Sequence, residues 1–473
     1  MLCARTGPGA AGVRGTTRED EKKMTHSASG SSIGRRSLLA GAGSVGAAAA
    51  LAPVPASAGP SPAAAPAGGG GNASGNWPDP EPYGLADTRA DLWPRDDNSF
   101  VLPLELRPRD EERGVVWMRD TYVNCFSVDG RPLYVATGTT RVPGLTTASP
   151  WNDGIFVWTA RSLRGPWKLA DTTGIRPDAE KGKVWSPEFA GENRPGRTVV
   201  APWQEYWHDD MFGKRANAWA PEVHYFDGRW YIVACMGDHS RLVGSFMLVS
   251  EGEVEGPYRL VEGNLDKPFG DPVKGGPSFI EPGAYHHIDG SLYSEGGDAW
   301  LVLHNDLYAK FRDDMEDIVP ATDLPRFEQQ RYSPEPYLEG AYVFRHRGKY
   351  FLLHAAWNRA SLDAYGSTRH AYEPGGAGRV QYQYDAVVAV ADRFEGPYSR
   401  RWTAGVGAGH NNFFADAGGR LWATFFRNPN FGYWADPARI DDAAVPGVVR
   451  LEWTGGRDGR IYVQRRRGRT AAD

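Results

Sequence analysis

Five times along the chain a short glycine turn is followed directly by an aromatic-rich apolar strand. Asp129-Gly130 precedes Leu133-Tyr134-Val135, Asp227-Gly228 precedes Trp230-Tyr231-Ile232, and Gly296-Gly297 precedes Trp300-Leu301-Val302. Arg347-Gly348 precedes Tyr350-Phe351-Leu352, and Gly418-Gly419 precedes Leu421-Trp422-Ala423. A hairpin repeated at intervals of roughly 50 to 100 residues marks a radial or solenoid β architecture, in which each unit buries its apolar face against its neighbours. Gly165-Pro166-Trp167, Gly256-Pro257-Tyr258 and Gly396-Pro397-Tyr398 repeat a second, outer turn after the first, second and fourth hairpins. Helical periodicity is sustained nowhere past the leader. The expectation is an all-β, five-bladed β-propeller over residues 96–465, followed by a tail at 466–473.

The first part of the 473 residues lies outside the repeat. Ser32-Ile33-Gly34-Arg35-Arg36-Ser37-Leu38-Leu39 is a twin-arginine pattern, followed by a weakly apolar Ala/Gly/Leu stretch and the small-x-small cleavage site Ala56-Ser57-Ala58. Residues 1–58 therefore read as an N-terminal extension plus a twin-arginine signal, with Met24 an alternative start, and the mature protein is expected outside the cell. The apolar stretch is too short and too rich in alanine to span a membrane. Residues 59–95 begin as Pro, Ala, Gly and Ser, which bury too little apolar surface to order themselves, and read as a disordered linker and approach segment.

Past the cleavage site only Cys125 and Cys235 remain, so disulfides do not hold this fold together. Both sit in apolar strand-like runs that suit buried free thiols, with a single bridge as the alternative. A formal net charge of −5 gives no basic surface for nucleic acid. Nothing in the sequence asks for a membrane or a second subunit, and a monomer is expected. The 17 tryptophans have two outlets, packing between blades and stacking on the flat apolar faces of sugars.

In a propeller the innermost strands line the central channel, and ligands meet its mouth. Asp120 in Arg119-Asp120-Thr121-Tyr122, Asp289 in Ile288-Asp289-Gly290-Ser291, and Glu339 in Glu339-Gly340-Ala341-Tyr342 each precede a glycine-turn hairpin by one strand. Equivalent positions in different blades converge on the axis. Carboxylates gathered in one cleft repel each other, which lets a neutral acid coexist with an ionised base. Glycosidic bond cleavage needs that pair, one group to protonate the leaving oxygen and one to activate water or attack the sugar. Taken singly, each could instead be a turn former.

These runs resemble glycoside hydrolase family 43, five-bladed inverting glycosidases. The family's Arg-Asp-Pro-Tyr/Phe, Ile-Asp-x-Ser and Glu-Gly/Ala-Pro motifs supply a general base, a carboxylate tuning the acid, and the general acid. Carried over by motif, the resemblance implies these roles for Asp120, Asp289 and Glu339. Trp219-Ala220-Pro221-Glu222-Val223 is similar to the second-blade signature. Gly409-His410-Asn411-Asn412 is similar to the last-blade motif, whose His in many members helps hold a calcium or water-bridged ion, so the resemblance makes His410 a possible ligand of a structural Ca2+ at the propeller centre, with no cofactor for catalysis. Thr121, Ala341 and Gly290 replace the prolines or alanine of the family motifs. Glu281 and Glu335 are rival placements for the second and third carboxylates.

Arg427 resembles a terminal-subsite arginine, Trp219 a platform at the channel mouth, and Asp153 a residue of the first-blade rim. The segment from Arg176 to Lys214 reads as a rim insertion whose Trp185, Trp203, Tyr206 and Trp207 suit sugar stacking; His208-Asp209-Asp210 within it reads as a surface loop. The function expected is a secreted glycosidase acting by inversion on arabinofuranosides, xylosides or galactosides of plant or algal oligo- or polysaccharides, with base and acid carboxyls about 6.5 to 9.5 Å apart. Two alternatives stay open: a retaining fructan-type hydrolase on the same fold, suggested by Trp117-Met118-Arg119-Asp120, and a non-catalytic sugar-binding propeller.

Overall fold

Four of the recurring turns form because both central residues adopt positive φ: Asp129 and Gly130 (50 and 72), Asp227 and Gly228 (47 and 74), Gly296 and Gly297 (63 and 93), Arg347 and Gly348 (50 and 75). Turns of this hand match the right-handed twist of the flanking strands. The fifth is built differently. Asp416 N–H bonds the Arg420 carbonyl at 2.9 Å, the Asp416 carboxylate receives the N–H groups of Gly418 and Arg420, and Gly419 takes φ 75.

The computed structural model describes residues 101–463 apart from 107–115, 117, 141–153, 206–207, 210–213, 216, 238–241, 270–286, 305, 322–323, 330–336, 358–382, 400, 406–408, 427–445 and 454–458. The chain divides into the units Met1–Gly71 and Asn72–Asp473, and every described residue lies in the second. The leader and the linker fall outside the described residues.

The hairpins seed five antiparallel sheets. Blade 1 runs Met118–Val128, Arg131–Thr140, Trp158–Ala160 and Lys168–Leu169 from inside to outside. Blade 2 is Asn217–Phe226, Arg229–Gly237, Leu242–Glu253 and Gly256–Leu260. Blade 3 shows Ser291–Glu295, Asp298–Leu303 and Leu307–Lys310, and blade 4 is Tyr337–His346, Lys349–Trp357, Gln383–Ala391 and Trp402–Gly405. Blade 5 is Phe413–Ala415, Leu421–Phe426 and Pro446–Trp453, completed by Val101–Pro103 from the opposite end of the domain. Together they make the five-bladed β-propeller. That Val101–Pro103 pairs with Val449, Val448 and Gly447 is a ring closure no sequence motif announced.

The Gly-Pro-aromatic turns stand just before the outer strands of blades 1 and 4 and open the outer strand of blade 2, as cis peptides at Gly165-Pro166, Gly396-Pro397 and Gly256-Pro257. Their aromatic residues bond alike: Trp167 Nε1, Tyr258 OH and Tyr398 OH each donate to the carbonyl four residues back, on Leu163, Val254 and Phe394 at 3.2, 2.9 and 2.8 Å.

Blade faces pack in pairs, as period-2 alternation requires. Blade 5 meets blade 1 through Phe414, Trp422 and Val448 against Met118, Val123 and Trp158. Blade 2 meets blade 3 through Tyr231, Val233 and Met247 against Leu292 and Leu301, and blade 3 meets blade 4 through Tyr293 and Val302 against Leu352 and Tyr398. Asn412 closes the ring nearer the axis by imitating a strand: its Nδ2 donates to the Val123 carbonyl at 2.8 Å and its Oδ1 accepts the Val123 N–H at 3.2 Å. Among the described residues no helix is long and apolar enough to cross a membrane.

Candidate functional site

Each blade breaks its backbone at the same place. The residues Asp120, Ala220, Asp289, Gly340 and His410 all adopt positive φ (50, 46, 54, 64 and 48) at the axial end of their innermost strands. In blades 1, 2 and 4 the break coincides with a bulge, between Arg119 and Tyr122, Trp219 and Glu222, and Glu339 and Tyr342. Left-handed backbone costs a non-glycine residue on the order of 1–3 kcal/mol. Four such residues on one ring are held there by the surrounding sheets, and bulges of this kind re-aim side chains.

The re-aimed side chains meet. Asp120 Oδ1 lies 3.3 Å from His410 Nδ1, and Asp120 Oδ2 accepts the Thr139 hydroxyl at 2.7 Å. Asp289, 6% exposed, accepts the Gly340 N–H on Oδ2 at 3.1 Å, while its Oδ1 lies 3.6 Å from Cys235 Sγ. Burial opposes a charge on His410, yet the charges of Asp120, Asp289, Glu339 and Glu222 outweigh it and raise its pKa above the ordinary imidazole value. The histidine is thus the electrostatic meeting point of carboxylates from four blades. Gly340 is required beneath it: a Cβ there would stand 2.9 Å from His410 Cγ.

Glu222 was not expected at the centre, although it ends the Trp-Ala-Pro-Glu run. Its Oε2 accepts the Ser291 hydroxyl at 2.6 Å and lies 2.9 Å from His224 Nε2. Deeper along the axis, Tyr122 packs its ring 5.4 Å from that of His224 and 6.4 Å from that of Tyr342. Burial, followed by neighbouring charge, pushes both phenols well above their ordinary pKa, so they are neutral hydrogen-bonding groups. Thr139 and Cys235 were also missed as contacts of the carboxylates. Only a cross-strand register, which no local pattern carries, brings them there.

The structure thus brings Asp120, Asp289, Glu339 and His410 together. Trp219 is half-buried beside Cys235 and Ile288 at the same bulge. Trp203 donates from Nε1 to the Asn264 carbonyl at 2.8 Å and packs edge-on against Phe246, 6.1 Å away. The expectation that Trp185 stacks on sugar is corrected: it is 0% exposed, with Nε1 bonded to the Val199 carbonyl at 2.8 Å, because Lys183–Trp185 pairs as a strand with Ile155–Phe156 and the indole packs on Phe246 of blade 2. Both cysteines are free thiols, Cys235 buried and Cys125 half-buried. Asp153 and Arg427, the rival Glu281 and Glu335, and Tyr206 and Trp207 lie outside the described residues. No group of three or more His, Cys, Asp or Glu side chains among the described residues is arranged to hold a metal ion.

Comparison with curated proteins returned no match. Solved structures similar to this chain include one described as a glycoside hydrolase (16% identity, TM-score 0.43, covering 76% of this chain and 66% of that one). A thermostable family-43 glycoside hydrolase has 17% identity and a TM-score of 0.44 over 74% of this chain and 94% of its own. An endo-arabinase from Bacteroides thetaiotaomicron has 16% identity and a TM-score of 0.43 over 76% of this chain and 99% of its own. The family model for glycosyl hydrolases family 43 matches residues 197–454, from the approach to blade 2 through blade 5. That span takes in the Trp-Ala-Pro-Glu bulge, Asp289, Glu339 and His410, and with the five-bladed ring around them it shows that the chain belongs to glycosyl hydrolase family 43 and is a glycosidase.

Proposed function

We propose that this glycosidase is secreted and cleaves arabinofuranosides, xylosides or galactosides derived from plant or algal polysaccharides, in one displacement that inverts the anomeric carbon. The observation that carries the reading is the convergence of Asp120, Asp289 and Glu339 on His410 at the blade ends.

In this reading Asp120 takes a proton from water as that water attacks the anomeric carbon. Glu339 gives its proton to the departing glycosidic oxygen as the bond to it breaks, and solvent restores both groups after each turnover. Asp289 accepts the N–H of Gly340, the residue following Glu339, and so fixes the acid's backbone. Thr139 and His410 hold the two oxygens of Asp120. Trp219 offers an apolar face beside the carboxylates, and Trp203, Asp153 and Arg427 remain candidates for the outer sugar contacts. An ion at the centre, held by His410 and water, would add positive charge among the carboxylates.

The test is turnover of 4-nitrophenyl glycosides and plant polysaccharides by the mature protein, with Asp120→Asn as control. Release of one sugar by the wild type, with loss in the variant, supports the reading. Turnover undiminished in Asp120→Asn refutes it.

A further inference from the structure

The carboxylates at the blade ends do not hold their orientation alone. In blade 1, Thr139 of the second strand stands opposite Arg119, the residue before Asp120. Its hydroxyl donates to Asp120 Oδ2 at 2.7 Å and accepts the N–H of Ala220, in the next blade, at 2.8 Å. In blade 2, Cys235 of the second strand stands opposite Trp219, the residue before Ala220. Its Sγ lies 3.6 Å from the Trp219 carbonyl oxygen and 3.6 Å from Asp289 Oδ1 in the next blade, ordinary lengths for a sulfur donor. The two positions are equivalent in register, both side chains are 0% exposed, and each bridges neighbouring blades. In blade 4 the equivalent residue, opposite Glu339, is Ala355, which carries no donor.

A thiol has one proton, and of two acceptors at equal distance the charged one binds it more strongly. Burial, then the charges of Asp289 and Asp120, push the Cys235 thiol well above its ordinary pKa, so that it remains a donor. Asp289 is thereby clamped at both oxygens, by Cys235 on Oδ1 and by the Gly340 N–H on Oδ2.

We propose that Thr139 and Cys235 are positioning residues that serve opposite halves of the reaction, Thr139 holding Asp120 on the attacking water and Cys235 holding Glu339 at the leaving oxygen through Asp289 and the Gly340 peptide. The inference rests on the proposed roles of the three carboxylates. It makes the two losses chemically different. A misplaced base slows attack whatever group departs, whereas a misplaced acid matters only when the leaving oxygen needs a proton.

The experiment measures kcat and KM of Thr139→Val, Thr139→Ser, Cys235→Ala and Cys235→Ser with the 2,4-dinitrophenyl, 4-nitrophenyl and methyl glycosides of whichever of arabinofuranose, xylose and galactose the wild type turns over. Displacements of this kind cost roughly 10- to 100-fold in rate. Thr139→Val is expected to lose that much kcat on all three leaving groups. Cys235→Ala is expected to lose it on the methyl glycoside and little on the dinitrophenyl one, with KM nearly unchanged in both. The serine variants, which keep a donor and nearly the native volume, are expected to restore most of the rate. Equal losses of Cys235→Ala on all leaving groups, a leaving-group-dependent loss in Thr139→Val, or serine variants that fold as the wild type yet restore nothing would overturn the inference. A wild type inactive on every sugar sinks the proposed function and this pairing with it; an active wild type with the wrong leaving-group pattern sinks the pairing alone.

Discussion

Asp289 Oδ2 accepts the backbone N–H of Gly340 at 3.1 Å, which ties the carboxylate at the head of blade 3 to the peptide that follows Glu339 in blade 4. Gly340 itself sits at φ 64, with its Cα face against the His410 ring. One residue therefore serves three blades. It can do so only without a side chain.

Gly340→Ala should for that reason damage both stability and activity. A Cβ would stand 2.9 Å from His410 Cγ and 3.0 Å from Cδ2, on backbone that L side chains rarely adopt. The expected cost exceeds about 1 kcal/mol in urea unfolding, with a fall in kcat as His410 and the Glu339 peptide move. An alanine variant with wild-type stability and rate would contradict this account of the axis.

Glu339→Gln and Asp120→Asn should each lower kcat by roughly 100- to 10,000-fold, the usual worth of a positioned acid or base. The glutamine variant should recover much of its rate on a dinitrophenyl glycoside, whose leaving group departs without a proton. Steady-state kinetics on activated and unactivated substrates separates the two.

Ring closure depends on Asn412, whose amide pairs with both backbone groups of Val123 and whose Oδ1 also accepts the Thr424 hydroxyl at 3.0 Å. Asn412→Leu would leave the buried Val123 groups without these partners, at a cost of about 1–3 kcal/mol. Urea unfolding should show a lower midpoint. An unchanged midpoint would mean that Val101–Pro103 closes the ring unaided.

Acid should destabilise the fold through His354. Burial lowers its folded-state pKa to about 3, Asp306 opposes this, and Arg401 and His304 add to it. An unfolded histidine takes up its proton near pH 6.5, so stability is fully present above that value. As pH falls from there toward 3, the unfolded chain binds a proton that the folded one refuses, and stability drops by up to about 1.4 kcal/mol per pH unit. Asp306, buried yet held below its ordinary range by Arg401, contributes stability that begins to be lost only once pH falls below about 4, where an unfolded aspartate takes up its proton. His354→Gln should therefore flatten the decline of Tm between pH 6.5 and 4.5, read by calorimetry across that range; an unaltered slope would rule this cause out.

The hairpins were legible because a tight turn between twisted strands demands positive φ at fixed positions, and the glycine that ends each of the five turns meets that demand locally. Asp120 and Asp289 stood out because each precedes a glycine-turn hairpin by one strand, and His410 because its run resembles a family motif; that all three sit at a left-handed break is visible only in the structure. What stayed hidden was non-local. Val101–Pro103 is three residues whose partners lie at the far end of the domain, and Thr139, Cys235 and Glu222 matter only through cross-strand and cross-blade register. Trp185 misled because tryptophan fills cores and sugar platforms alike, and composition does not separate the two.

Whether Asp120 and Glu339 act in one displacement is tested most directly by the configuration of the first product. Proton NMR recorded within the first minutes of hydrolysis, before mutarotation, should show the released sugar with its anomeric configuration inverted relative to the substrate. A first product of retained configuration would contradict the account, because it requires Asp120 or another carboxylate to have formed a bond to the sugar.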